Sequence, residues 1–141
     1  MMLEWTEEDI YLVAQYAYEL HLEGYNYDAA VIFEGLLAIN PDNTYCRDAL
    51  AALSLALGRP EDAARRASEV LELRANHADS LARRCEAFLQ LERIEDAKSD
   101  LEALRRMNAV SHSNRMQLRV QTVTEEKSVS MRRLSNGSFS K

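Results

Sequence analysis

The side chains able to catalyse a reaction or hold a metal are few and scattered. His21, His77 and His112 stand far apart, and Cys46 and Cys85 lie in different parts of the chain. None of them falls at the short spacings by which helices and loops assemble metal ligands or a nucleophile with its base. Adjacent acids occur as Glu7–Glu8, Glu61–Asp62 and Glu95–Asp96, a pairing that general acid–base chemistry can use. Each pair, however, sits at an expected helix start, where a carboxylate is favoured by the helix dipole alone. Gly24, Gly35, Gly58 and Gly137 are too dispersed for a phosphate-cradling loop. The chain reads as a non-enzyme that needs no cofactor or metal.

The elements that would carry any site are helices. Nineteen Ala and nineteen Leu against four Gly and two Pro in 141 residues is helical usage. Residues 1–9 hold four acids and no Lys or Arg, the wrong charge for a secretory leader, and no apolar run approaches the ~18 residues of a membrane span. Two cysteines do not make a disulfide framework, so a reducing cytoplasm is the expected setting. The net charge of −6 divides unevenly: residues 112–141 carry six Lys or Arg and two acids, whereas the preceding residues are strongly acidic. That body is unsuited to nucleic acid, which needs a basic footprint.

A 34-residue period organises the chain. Ala17, Ala51 and Cys85 keep it, as do Ala29, Ala63 and Ala97; Leu36, Val70 and Leu104; and Ile39, Leu73 and Met107. Gly24 and Gly58 share the same step. The small columns let paired helices approach, the glycines end a helix in the left-handed region, and the larger apolar column buries against the next repeat. Thr6 with Asp9 predicts a capped helix start near Glu7, with Trp5 and Ile10 as a hydrophobic staple. Pro60 suits the first turn of a helix.

With Ala17, Gly24, Ala29, Phe33 and Pro41 in its first unit, the chain resembles the tetratricopeptide-repeat family over residues 10–43, 44–77 and 78–111. The resemblance implies an all-α, right-handed superhelical α-solenoid of three helix hairpins. Residues 1–9 form a lead-in, and residues 112–127 are expected to be a capping helix opened by Ser113. Residues 128–141 read as a disordered tail on their Ser, Asn, Gly and charge content. Within that tail, Arg132-Arg133-Leu134-Ser135 resembles a basophilic kinase site.

In this family the first helix of each hairpin lines a concave groove. Carried over by repeat position, the groove residues are Tyr11, Ala14, Tyr18, His21 and Leu22; then Tyr45, Asp48, Ala52, Leu55 and Ala56; then a more polar set with Asp79, Ala82, Glu86, Leu89 and Gln90. These positions hold no Lys, Arg or Asn, which excludes the clamp that grips acidic chaperone tails. Tyrosines among small neighbours suit an extended peptide. The alternative is that the rings pack on the lead-in or on a homodimer partner.

The Tyr-rich first helix followed by Gly24, Tyr25-Asn26-Tyr27-Asp28-Ala29-Ala30, Ile32-Phe33, Leu36-Leu37 and Asn40-Pro41-Asp42 is similar to the class II translocator chaperones of type III secretion. That resemblance implies a cytoplasmic adaptor. Its protein partner would be a client's extended segment, from a translocator or a needle subunit, with no nucleic acid and no membrane involved. A structural scaffold subunit, assembling through its outer faces, is the alternative from a different class.

Overall fold

Left-handed residues punctuate the chain at a fixed interval. Gly24 (φ 92°), Gly58 (φ 72°) and Glu92 (φ 60°) each end the first helix of a hairpin. At each, the next N–H reaches back across the turn: Tyr25 to Leu20 O, Arg59 to Ser54 O and Arg93 to Phe88 O, all at 2.8 Å. These are Schellman closures, which satisfy carbonyls that a helix end leaves free. In the computed structural model, which describes residues 4–137, they separate the helices of three hairpins. Helices α1 (Glu7–Leu22) and α2 (Asn26–Ile39) form the first, α3 (Thr44–Ala56) and α4 (Pro60–Leu73) the second, and α5 (Ala78–Gln90) and α6 (Ile94–Arg106) the third. Helix α7 (Val110–Gly137) closes the array against α5 and α6.

Glu92 holds at φ 60° what glycine holds in the first two hairpins. A Cβ there is strained by ~1–2 kcal/mol, partly offset by the greater freedom of glycine in the unfolded chain. Glu92→Gly is therefore expected to stabilise the protein by about 1 kcal/mol, raising the melting temperature by roughly 3 °C in a calorimetric scan.

The local rules read from the sequence hold at several ends. Thr6 caps α1, its hydroxyl accepting from the Asp9 N–H at 3.0 Å while the Asp9 carboxylate accepts from the Thr6 N–H at 2.9 Å. Pro60 occupies the first turn of α4 with Glu61 and Asp62 beside it. Asn43 caps α3, and His77 caps α5 by accepting the Ser80 N–H on Nδ1 at 3.2 Å.

Burial follows the columns. Ala17, Ala51, Cys85, Ala29, Ala63 and Ala97 have no exposed surface, and Leu36, Val70 and Leu104 are sealed between hairpins. Ile39 and Leu73 keep the period but lie exposed at helix ends. Phe33 anchors the first core with Ile10, Leu50 and Leu53. Leu81, Leu101, Met116 and Val120 build the last one. Across the second and third hairpins, Arg84 forks onto Asp100 at 2.9 and 2.7 Å and reaches the Ser68 hydroxyl at 3.1 Å.

Helix α7 differs from the expected 112–127. Four-residue loops with extended backbone at Asn40 and Arg74 precede α3 and α5. Before α7 the left-handed Asn108 (φ 57°) closes α6 within three residues, so α7 starts two residues ahead of the period. Ser113 is consequently no cap: it lies in the first turn, its hydroxyl donating to Val110 O at 3.1 Å. Nor is the chain irregular from Ser128, because α7 runs on to Gly137. Once a helix is nucleated on a packed base, extension costs little per residue, and no Gly or Pro interrupts residues 110–136. Residues 138–141 of the expected tail lie outside the described residues.

Candidate functional site

On α1, residues four and seven apart share a face, which brings Glu7, Tyr11, Ala14, Gln15 and Tyr18 into one row. Helix α3 sets Tyr45, Asp48 and Ala52 opposite. Between the two rows lies a cavity of about 380 Å³ that also includes Ile10, Glu19 and Asn43. A second, of about 230 Å³, holds His21, Phe33, Asp48, Ala52 and Arg83. Tyr18 and Tyr45 line both, so the cavities adjoin.

The rings are held yet open. Tyr11, Tyr18 and Tyr45 are 60 %, 49 % and 52 % exposed. The Tyr45 ring meets Phe33 edge-on, with centroids 6.0 Å apart, and partial burial together with the nearby Tyr18 pushes its phenol pKa up. Tyr11 Oη accepts from Gln15 Nε2 at 2.9 Å. His21 Nδ1 lies 2.6 Å from Asn26 Oδ1, and its ring lies 6.3 Å from Tyr18. Seven expected groove positions, Tyr11, Ala14, Tyr18, His21, Tyr45, Asp48 and Ala52, thus line the two cavities, with Ala14 as buried floor.

The remaining eight lie elsewhere: Ala82 is buried, Asp79 pairs with His112, and Gln90 is exposed at the end of α5. Leu22 and Ala56 are exposed at helix ends, and Leu55 packs on the Ala63–Ala87 contact. Leu89 is buried, and Glu86 is gripped by Arg119 of α7 at 2.9–3.2 Å. His112 Nε2, two turns back on the same face of α7, donates to Asp79 at 2.7 Å. The inner face is open along α1 and α3 and covered by α7 over α5.

Reading only five positions per repeat also missed two polar residues. Asn43 precedes α3, and Arg83 sits one position beyond Ala82; both line the cavities, so the groove is not free of Arg and Asn. Arg83 is ion-paired with Asp48, whose carboxylate also accepts from the buried Ser80 hydroxyl at 3.2 Å. The opposite charges at Asp48 and Arg83 were the available signal, but only the stacking of α3 on α5 brings them together.

The Asp79–His112 contact predicts a pH effect. The hydrogen bond from His112 holds the Asp79 carboxyl below its usual range. A depressed carboxylate adds stability above its unfolded pKa and loses it as pH falls through the folded one. Wild type is therefore expected to exceed Asp79→Asn in urea stability at pH 6 by at most about 1 kcal/mol, since the pair is surface-exposed, with the gap closing below pH ~4.

Both cysteines are buried free thiols. Burial pushes Cys85 up to about 12, and its Sγ donates to Ala97 O at 3.3 Å, a packing role. Among the described residues no group of three or more His, Cys, Asp or Glu is arranged to hold a metal, and no helix is long and apolar enough to cross a membrane.

No protein-family model matches the chain, and no curated protein matches it in sequence. Solved structures do match it in fold. PcrH from Pseudomonas aeruginosa superposes with a TM-score of 0.77 at 21 % identity, over 85 % of this chain and 95 % of that one. The type III secretion translocator chaperone SycD of Yersinia enterocolitica gives 0.78 at 17 %, over 89 % and 90 %. The Sgt2 TPR domain from Aspergillus fumigatus gives 0.75 at 19 %, over 90 % and 83 %. The chain has the all-α tetratricopeptide-repeat fold, a solenoid of three helix hairpins closed by a seventh helix.

Proposed function

We propose that the protein is a peptide-binding module that holds an extended segment of a partner protein along α1 and α3. The observation that carries this reading is the pair of adjoining cavities walled by Tyr11, Tyr18 and Tyr45. Half-exposed rings offer apolar area that a ligand buries, while their hydroxyls and Gln15 offer bonds to peptide backbone. Proteins of this fold support it: PcrH has been solved with the chaperone binding regions of PopD and PopB, and the first TPR of Spaghetti with an HSP90 peptide. The narrower reading is a chaperone of type III secretion, working in the cytoplasm on a translocator segment. The Tyr-lined groove favours it over the acidic-tail mode, because Arg83 is already paired with Asp48.

Calorimetric titration with short extended peptides bearing two apolar residues, the PopD and PopB regions among them, tests this. Micromolar binding with a negative heat-capacity change is expected. Absence of binding to every peptide, with the protein folded, overturns the peptide-groove reading. Binding to generic peptides but not to translocator segments overturns the secretion reading alone.

A further inference from the structure

Carboxylates and cations are matched in most of the chain and unmatched beside the groove. Between Glu4 and Cys46 stand nine acids and not one Lys or Arg. Of those nine, Glu34 alone is in an ion pair among the described residues, with Arg66 of α4. From Asp48 to Glu102, by contrast, eight of the twelve acids pair with Lys or Arg. The cations of the adjoining helices are already engaged. Arg47, the one guanidinium of α3, binds Glu69 at 3.0 Å and the Pro41 carbonyl, and Arg83 of α5 is held by Asp48.

This imbalance meets the tyrosine row. The cavity of about 380 Å³ has Glu7 towards one end of α1 and Glu19 towards the other, and no Lys or Arg among its walls. Both carboxylates are exposed, and neither has an ion-pair partner among the described residues. Between them stand the half-exposed rings of Tyr11, Tyr18 and Tyr45. A carboxylate and a ring face draw the same kind of group, since a cation bonds to the first and is attracted by the quadrupole of the second. At 1.5 Å per helical residue, Glu7 and Glu19 lie about 18 Å apart, a span of about five residues of extended chain.

We propose that the segment held in the groove is basic, with a Lys or Arg on each side of its apolar residues, one at Glu7 near Tyr11 and the other at Glu19 near Tyr18. The proposal rests on the peptide-groove reading and adds to it the chemistry of the ligand. Binding brings Glu7 and Glu19 the counter-charges that the chain itself does not place there. An acidic segment is repelled by the same carboxylates, so they select against it as well as for its opposite.

Calorimetry of the full chain with three synthetic peptides tests this. The peptides share one extended apolar segment and carry Lys, Gln or Glu at two flanking positions about five residues apart. The Lys peptide is expected to bind about tenfold more tightly than the Gln peptide, and the Glu peptide more weakly than either. High salt is expected to shrink the preference. Glu7→Gln with Glu19→Gln is expected to bring the Lys peptide to the affinity of the Gln peptide, with the Gln peptide itself unaffected. Glu8→Gln with Glu23→Gln removes the same charge outside both cavities and is expected to keep most of the preference. All four positions are exposed, and an unchanged melting temperature will show that the fold is intact. Equal affinity of wild type for the three peptides, or equal loss of preference in the two double variants, overturns the proposal and leaves the peptide groove standing. Failure of the Lys peptide to bind also overturns it. The groove reading falls with it only when the apolar peptides and the PopD and PopB regions fail to bind as well.

Discussion

Replacing Tyr11 and Tyr18 together by alanine is expected to weaken binding of an extended peptide about a hundredfold, ~2.7 kcal/mol, with the melting temperature nearly unchanged. The two effects separate because the rings are half-exposed. In the free protein they contribute little packing, and alanine is the better helix former, so stability stays within about 0.5 kcal/mol. In a complex the same rings become buried between ligand and helix, where aromatic anchors carry a large share of the binding energy. Tyr27→Ala removes an equally exposed ring from α2, outside both cavities, and is expected to leave affinity unchanged. Calorimetry of the three proteins decides the matter: equal loss for the Tyr27 variant, or none for the double variant, excludes the groove as the binding surface.

The largest effect on folding is expected at Asp100. Its side chain is 5 % exposed and accepts both arms of Arg84, which joins α5 to α6 and, through Ser68, to α4. Asp100→Ala leaves a guanidinium half-buried without its counter-charge and is expected to lower the unfolding free energy by about 3–5 kcal/mol in urea titrations. Removing both charges differs in kind. Arg84→Met with Asp100→Leu keeps volume and leaves no lone charge, so it is expected to cost less than about 1.5 kcal/mol. A double variant as unstable as Asp100→Ala would show that the pair contributes geometry that apolar packing cannot replace.

The period and its consequences were legible in the chain because they are local. A small residue at Ala17, Ala51 and Cys85 is required wherever one helix crosses another closely, so the column survives as a spacing that can be counted. The Thr6–Asp9 cap and Pro60 at the start of α4 involve neighbours a few residues apart, and the structure has them as the local rules require. Glu92 was the first departure. In the sequence it breaks the glycine column, yet the chain takes the same left-handed turn there, because stacking of α5 and α6 outweighs the strain of one side chain. The end of α7 was the second. Composition from Ser128 onward describes an isolated segment, whereas the real one grows from a helix already pinned by Met116 and Val120.

The groove divides the same way. Which residues of α1 share a face follows from 3.6 residues per turn, so Tyr11, Ala14 and Tyr18 were recoverable in advance. That Glu86 is withdrawn from the open surface, and that Arg83 enters it, depends on contacts across 33 and 35 residues of chain between α3, α5 and α7, and Asn43 enters where α1 faces the start of α3. By itself the sequence determined the helices, their pairing and the tyrosine wall, all of which rest on short-range periodicity. Tertiary structure alone decided how far the groove extends and where its charges are satisfied, because the partners of those side chains lie on helices that meet only when the hairpins stack.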